Sequence, residues 1–367
     1  MGIKSLGDPT STYNAVWGQT AKGAVTPAPP GAFEATGGTT NEPGNGYKYH
    51  LFTHPNSDSF EVTNVAGTPG VIEVLVVAGG GGGGNGGGAG GGGGGAGGVR
   101  NFPVTLTATG VYPITVGDGG AALAYDTGPK APAQGGDSAF NSPGGNSTTQ
   151  IYATGGGGAG TYGEHGAGNL KAGMPGGSAG GQGTYPAGYT TPRAATVASP
   201  DGRTPTVQGY DGGYAGVPAS GINAGSGGGG AGAQGGDASD PNDVSGTGGN
   251  GAPFPAFAYP LCFPAPMLPA FATPTNPLTG YVTSPTSDHY GGGGGGSSGE
   301  PPQSVDYVDG GTGGGGAGYN RYGPSPGPGP AKAGVDGLGG GGGGTAAGNA
   351  TNTGAGGAGS VIIRYAV

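Results

Sequence analysis

The side chains in this sequence that could perform chemistry are few and scattered. The histidines are His50, His54, His165 and His289, and the single cysteine is Cys262. Asp288 stands beside His289, but such a pair contributes to catalysis only with a nucleophile in the right geometry, and no motif indicates one. The phosphate-binding pattern GxxxxGK followed by Ser or Thr is absent, and GxGxxG matches arise by chance in a chain so rich in glycine. We therefore expect no catalytic residue, no enzyme activity and no cofactor.

A structural metal site is the nearest alternative to that expectation. Residues 309–318, DGGTGGGGAG, superficially resemble glycine-rich calcium-binding repeats. Those repeats need aspartates that recur at a fixed period, and this stretch lacks them. We expect no metal, and the lone cysteine excludes an intrachain disulfide.

Aromatic side chains offer a different chemistry, namely contact with a partner. Residues 253–274, PFPAFAYPLCFPAPMLPAFATP, interleave large apolar residues with prolines, which exclude a helix or central strand and predict an ordered loop. Aromatic residues and Met are enriched where proteins bind one another. The alternative is that the segment packs on its own chain or on another subunit. The candidate residues are Phe254, Phe257, Tyr259, Phe263, Met267, Leu268 and Phe271.

Two further aromatic sets are candidates for recognition. The polar segment 184–219 carries tyrosines that could stack on saccharides, or could simply be solvated; they are Tyr185, Tyr189, Tyr210 and Tyr214. Residues 1–46 have no evident core of their own, so their aromatic residues are expected to dock on another protein; they are Tyr13, Trp17 and Phe33.

Composition narrows the possible partners. Of 367 residues, 101 are Gly and 34 are Pro, and only 8% are charged. The formal net charge of −9 argues against a nucleic-acid partner, because no basic face for phosphates can form. The sequence has no run of 18 apolar residues, so we expect no membrane insertion. The first residues also lack the apolar core of a secretory signal.

Strands must position these candidates, because no helical periodicity is visible. β-branched and aromatic runs predict strands over 47–53, 59–65, 71–78 and the last seven residues, and a hairpin over 103–117 turning at 108–110. The run 71–78, VIEVLVVA, is apolar on both faces and predicts a central strand, with VIIRYAV at 361–367 as its partner.

Blocks of at least four glycines fill the rest of the chain. They lie at 79–84, 90–95, 155–158, 227–230, 291–296, 313–316 and 339–344. Bare glycine makes poor sheet, whereas polyproline-II-type helices without side chains can approach closely and hydrogen-bond laterally. We therefore predict six to ten packed polyglycine-II helices. A collagen triple helix and a flexible linker are the alternatives.

The junction VIEVLVVAGGGGGG (71–84) and the ending GGAGSVIIRYAV (356–367) resemble the glycine-rich domain of bacteriophage tail-fibre and related virion proteins. YKYHLFT with SFEVTNV resembles the opening hairpin of that family, and VYPITVGDGG (111–120) its second hairpin. The resemblance covers about residues 47–367. It implies a mostly β and irregular fold with essentially no α-helix, in which a small β-sheet or sandwich base carries a polyglycine-II bundle with long loops.

The same resemblance implies that 47–118 with 360–367 form the base and 79–98 with 119–359 the bundle. Residues 1–46 depart from the family pattern, and because they lack a core of their own we expect them to anchor the chain in the virion. The expected function is a virion structural protein, a tail-fibre or receptor-binding adhesin whose loops contact a bacterial surface protein or glycan. A capsid or tail decoration protein is the alternative, and an ice-binding protein a remote one. Other virion proteins, and further copies on a symmetric particle, are the expected partners.

Overall fold

The structure is a computed structural model. It describes residues 32–55, 58–65, 70–124, 132–142, 150–161, 172–184, 201, 203, 207–215, 223–239, 243–263, 288–299, 306–323, 329–346 and 352–367. The main strands are β1 (Glu34–Thr36), β2 (Thr39–Asn41), β3 (Tyr47–Thr53), β4 (Ser59–Asn64), β5 (Gly70–Val77), β6 (Val99–Leu106), β7 (Gly110–Thr115), β8 (Ser138–Phe140) and β9 (Ile151–Ala153). Short pairs and the last strand follow as β10 (Ala252–Pro253), β11 (His289–Tyr290), β12 (Tyr307–Val308), β13 (Gly318–Tyr319) and β14 (Ser360–Ala366).

Ten of these strands form a β-sandwich. One five-stranded sheet has the order β1-β4-β7-β8-β9, and the other has the order β2-β3-β14-β5-β6. Alternate residues of both sheets point inward and share one core, which contains Phe60, Val74, Phe140 and Ile363. The structure therefore confirms a fold that is mostly β and irregular, with a sandwich as its base.

Strand β5 is central, as its sequence predicted. It pairs antiparallel with β14 on one side and with β6 on the other, so the chain segments before and after the glycine region are clamped together. Every residue from Val74 to Val77 is buried, because this strand is covered on both faces. The predicted pairing of 71–78 with the C-terminal strand is confirmed.

Both predicted hairpins are wrong. Strand β3 lies in one sheet and β4 in the other, and the same holds for β6 and β7. The chain thus changes sheet between β3 and β4 and again between β6 and β7. Strands β4 and β7 each have one buried and one exposed face, and crossing the sandwich lets their buried residues share one core with Phe52 of β3 and Val104 of β6.

The ordered base also begins earlier than residue 47. Strand β1 pairs with β4, and β2 pairs with β3, so residues from Glu34 onward belong to the sandwich. The turn between these two strands uses Gly37 and Gly38, both with positive φ. A truncation of residues 1–40 would therefore remove parts of the fold, which the sequence did not reveal.

The glycine segments continue the sheet without a change of register. Val77 pairs with Val99 in the β5–β6 ladder. Beyond it, the amides of Ala78, Gly81 and Gly84 donate to the carbonyls of Gly98, Gly95 and Gly92, at 3.0, 2.8 and 2.9 Å. The hydrogen bonds to one neighbour now recur every third residue instead of every second. A repeat of three is that of a polyproline-II-type helix.

Each inner segment bonds to neighbours on all sides. The amides of 92–98 donate in rotation to the segments 154–160, 226–229 and 339–342, and the carbonyls of 91–98 accept from the segments 78–84, 178–181 and 291–297. No glycine of 90–98 has positive φ, so the segment keeps one hand throughout. This lateral bonding satisfies backbone groups that would otherwise forbid burial, and it confirms the predicted side-by-side packing.

The bundle is larger than the six to ten helices predicted. The additional segments are short, and several mix Ala, Ser and Asp with glycine, so no glycine block marks them. Laterally bonded segments in the described chain lie at 78–84, 90–98, 117–120, 133–136, 154–160, 174–184, 210–215, 225–232, 233–238, 244–251, 291–299, 309–312, 315–319, 332–335, 339–346 and 353–359.

Candidate binding face at the end of the bundle

The bundle has two unlike ends. At one end Ala78 and Gly98 adjoin β5 and β6, and the bundle rests on the sandwich. At the other, Gly84 bonds to Gly92 and the chain reverses through a turn at 85–89. We call this second, remote end the loop end.

Other connections of the described chain reach the same loop end. Thr184 donates its amide to the Gly90 carbonyl, and Thr345 donates to Gly84. Gly299 donates to Asn223, and Ser239 exchanges two hydrogen bonds with Val244 across a further turn. Val244 is 52% exposed there. The loop end therefore gathers the ends of described segments that are distant in sequence.

A cluster of aromatic and cationic side chains occupies part of this face. The rings of Tyr307 and Tyr319 meet edge to face with centroids 5.3 Å apart. The Lys332 ammonium lies 5.1 Å from the Tyr307 ring centre, and the Arg321 guanidinium carbon lies 5.0 Å from that of Tyr322. Tyr319 is buried, whereas Tyr322 is 43% exposed. The cluster combines a fixed interior with an accessible aromatic ring.

The hairpin of β12 and β13 positions this cluster. Tyr307 pairs with Tyr319 across the two strands, and the Gly313–Gly314 turn that joins them needs positive φ at both residues. Burial, with a smaller contribution from the charge of Asp306, raises the pKa of the Tyr307 hydroxyl. Tyr307 therefore stays neutral and acts as a ring and hydrogen-bonding group.

The predicted aromatic loop lies elsewhere, as a cap on the outer face of the second sheet. We call residues 254–263 the aromatic cap; it contains a 3-10 turn, Pro255–Phe257, and a single helical turn, α1 (Tyr259–Cys262). The helical turn is a correction to the sequence expectation, and it is possible because Pro260 sits in its first turn, where no amide is required. Phe257, Tyr259 and Phe263 are buried against Tyr49, Leu75 and Ile362.

Arg364 holds the cap to the sandwich. Its guanidinium makes a bidentate ion pair with Glu73, donates to the Ala256 carbonyl at 3.2 Å and lies 5.3 Å from the Phe257 ring centre. The Tyr290 hydroxyl donates to the Phe257 carbonyl at 2.6 Å. The self-packing alternative thus describes these residues, and receptor contact by Phe257, Tyr259 and Phe263 does not fit their burial. Phe254 is partly buried against the same core, and Met267, Leu268 and Phe271 lie outside the described residues.

The other candidates are not brought together. Tyr210 is 46% exposed, and its amide bonds to Gly230 near the sandwich, whereas Tyr214 lies further along the same segment. Phe33 packs edge to face on Tyr365, with centroids 4.7 Å apart, so its ring contacts the base. Tyr13, Trp17, Tyr185 and Tyr189 lie outside the described residues.

A buried histidine, His50, serves the fold. His50 is buried between the Gly37 carbonyl and the Tyr365 hydroxyl, at 2.7 and 3.2 Å, and burial lowers its pKa. Within the part of the chain that the structure describes, no group of three His, Cys, Asp or Glu side chains could hold a metal ion. None of the helices in that same part is long and apolar enough to cross a membrane.

Comparison with protein families agrees with this architecture. The family model described as a glycine-rich domain matches residues 53–260, more than half of the chain. The chain belongs to the glycine-rich domain family. The match begins at the end of β3 and includes the β5 junction and the bundle segments from 78–84 to 244–251. A search of curated proteins gives no match.

The cluster around Tyr307 and Arg321 was missed by sequence reasoning. Its sequence signal is short: GYNRYG at 318–323 follows directly on a glycine block, and Tyr307 lies before that block. The tyrosines are far from one another until the glycine-rich hairpin folds. In this chain, a strand, a glycine block and a second tyrosine in succession bring Tyr307 and Tyr319 together.

Proposed function

We propose that this protein is a non-enzymatic structural protein of a bacteriophage virion, a tail-fibre or receptor-binding adhesin that contacts the host surface through the loop end of its bundle. The observation that supports this proposal best is that segment ends distant in sequence come together at the loop end of a laterally hydrogen-bonded bundle. The expected setting is the outside of the particle.

A polyglycine-II bundle suits this task for a physical reason. Inner segments such as 78–84 and 92–98 donate a hydrogen bond from every amide, so each turn at the loop end stands on a fixed support. Binding residues on loops held by a rigid scaffold lose less conformational freedom when a partner is bound. The loops can vary in sequence while the glycine segments keep their spacing.

The opposite pole of the molecule suits attachment to the particle. Residues 1–31 join the sandwich next to Phe33, which packs against Tyr365 near the end of β14, while the other end of that strand leads into the bundle. If residues 1–31 bind the particle from this pole, the loop end points away from the particle. We propose that it docks on other virion proteins.

Two experiments test the function. Electron microscopy of intact particles labelled with an antibody against the purified protein locates it; label at the tail tip supports the adhesin, whereas regular label over the capsid supports the decoration alternative. Purified protein added to host cells should compete with particles for adsorption. Absence of label on any particle would refute the proposal.

A truncation tests the anchoring segment separately. Removal of residues 1–31 leaves every described strand intact, so the truncated protein should fold with unchanged circular dichroism. We expect it to bind cells but not to be incorporated into particles. Normal incorporation would show that the segment is not the anchor.

A further inference from the structure

Two cations at the loop end have no carboxylate partner among the described residues. They are Arg321 and Lys332, and each lies over a tyrosine ring instead. Other described cations of the chain do pair with acids: Lys48 with Glu42, Arg100 with Asp201 and Arg364 with Glu73. The unmatched positive charge is therefore concentrated at the end that carries the turns.

This placement matters because the protein is acidic. Its 20 Asp and Glu residues outnumber 11 Lys and Arg, so most of the surface repels an anion. Asp306 lies on the same hairpin, but Arg321 and Lys332 form no ion pair with it or with another described acid, so each keeps its capacity to bind an anionic group. Its position beside an exposed tyrosine ring adds an apolar surface at the same point.

The backbone beneath these side chains is firmly held. The Arg321 amide donates to the Ser298 carbonyl at 3.0 Å, and the Asn320 side-chain oxygen accepts from the Ser298 amide at 2.7 Å. The Tyr319 amide donates to Gly344 at 2.8 Å, which fixes the strand to the bundle. A pre-ordered site binds a ligand at lower entropic cost than a flexible one.

We propose that Arg321 and Tyr322, with Lys332 over the Tyr307 ring of the same hairpin, form a binding site for an acidic saccharide that carries carboxylate or phosphate groups. The Tyr322 ring would cover the C–H face of a sugar. The planar guanidinium of Arg321 would hold an acidic group through two parallel hydrogen bonds, and Lys332 would add a point charge. The inference rests on the proposed function, because it names the chemical class of the host receptor.

The test measures binding of the purified full chain to immobilised polymers. The probes are a polyuronate for the carboxylate source, a glycerol-phosphate polymer for the phosphate source, neutral dextran, and polyglutamate as an acidic polymer without sugar. We expect binding to one of the two acidic saccharides and none to dextran. Arg321→Ala should weaken it about tenfold or more, since hydrogen bonds to charged groups are of that strength.

Three further variants separate the site from general charge effects. Tyr322→Ala should weaken binding, and Tyr322→Phe, which keeps the ring, should bind nearly as well as the wild type. Lys48→Ala removes a cation of the base and should leave binding unchanged. Arg321 and Tyr322 are exposed, so these variants are expected to keep the wild-type urea midpoint, and that measurement is the folding control.

Several outcomes would overturn the site. They are equal binding to polyglutamate and to the acidic saccharides, indifference to Tyr322→Ala, and the absence of saccharide binding by the wild-type chain. The two proposals can also fail separately. If Arg321→Ala binds host cells as the wild type does, the site is wrong and the adhesin stands. If the wild type binds the saccharide but not cells, the adhesin is wrong and the site stands.

Discussion

Adding one methyl group inside the bundle should destabilise this protein strongly. Gly94 lies in an inner segment, and a Cβ at this position would lie far inside van der Waals contact with the Gly81 carbonyl oxygen, 2.8 Å from the Gly81 carbonyl carbon and 3.0 Å from the Gly82 oxygen. All of these atoms are backbone, so no side chain can turn away. The variant Gly94→Ala must therefore push two segments apart.

The cost follows from the bonds that meet at this point. The amides of Gly81, Gly94 and Gly342 donate to Gly95, Gly342 and Gly81 at 2.8, 2.8 and 2.9 Å. Losing three such bonds at about 1 kcal/mol each, with about 1–3 kcal/mol for overpacking, predicts a loss of about 3–6 kcal/mol. That is a large fraction of the roughly 5–15 kcal/mol that stabilises a typical protein.

The sign of the change in unfolding free energy distinguishes a packed bundle from a flexible linker. In a flexible linker, Gly→Ala restricts the unfolded chain and stabilises by about 0.4–1 kcal/mol or has no effect. Urea unfolding followed by circular dichroism and tyrosine fluorescence gives the change in unfolding free energy. Ala122→Gly, in an exposed position of an outer segment, is the matched control and should cost less than about 1 kcal/mol. A neutral or stabilising Gly94→Ala would refute the reasoning.

Three further perturbations test other parts of the fold. Asp201→Asn removes the carboxylate from the buried Arg100 guanidinium, 2.9 Å away, and should cost about 3–5 kcal/mol in urea unfolding; a change below about 1 kcal/mol would contradict the buried pair. Burial raises the pKa of the Cys262 thiol, so a thiol reagent should label the native protein slowly and Phe257→Ala should accelerate labelling; fast labelling of the wild type would show that the cap is open. Burial lowers the pKa of His50 below its ordinary value of 6.5, so the stability that the neutral ring contributes is present above that pH and is lost as the pH falls below it. Each unit of depression corresponds to about 1.4 kcal/mol, and His50→Gln should reduce the slope of stability against pH. An unchanged slope would exclude His50 as its source.

The junction between the strand at 71–78 and the glycine block that follows it could be predicted from the sequence. The apolar run at 71–78 predicted a central strand and its partner, because a strand that is apolar on both faces must be covered on both. The glycine blocks predicted lateral bonding, because a backbone without side chains has no other way to be buried. Both inferences depend on local composition, and both are confirmed.

The paths of the chain between sheets could not be predicted in the same way. The segments 47–64 and 99–115 carry strands of alternating residue type, and such strands can pair as a hairpin or face one another across a core. Their alternation is the same in either case. The choice between a hairpin and a crossing depends on the residues that complete the core between the two sheets. These residues include members of β8, β9 and β14, which lie far along the chain.

The aromatic cap illustrates a limit of a different kind. Phe257 and Tyr259 have the composition of an interface, and they do form one, but with Leu75 and Ile362 of their own chain. The sequence shows that an apolar surface must be covered, but it does not show which part of the protein or which partner covers it. The tyrosine and arginine cluster at the loop end was hidden for the opposite reason, since its members become neighbours only through the glycine hairpin.

Hydrogen exchange of the glycine amides tests the lateral bonding most directly. Amides of the segments 79–84 and 92–97 each donate to another segment, so they should be protected to the same degree as those of β5. In the outer segment, the exposed positions 121 and 122 should exchange rapidly. Protection of this kind, measured by NMR or mass spectrometry, is what a bundle predicts. Complete exchange of the glycine blocks within seconds, beside a protected β5, would contradict it.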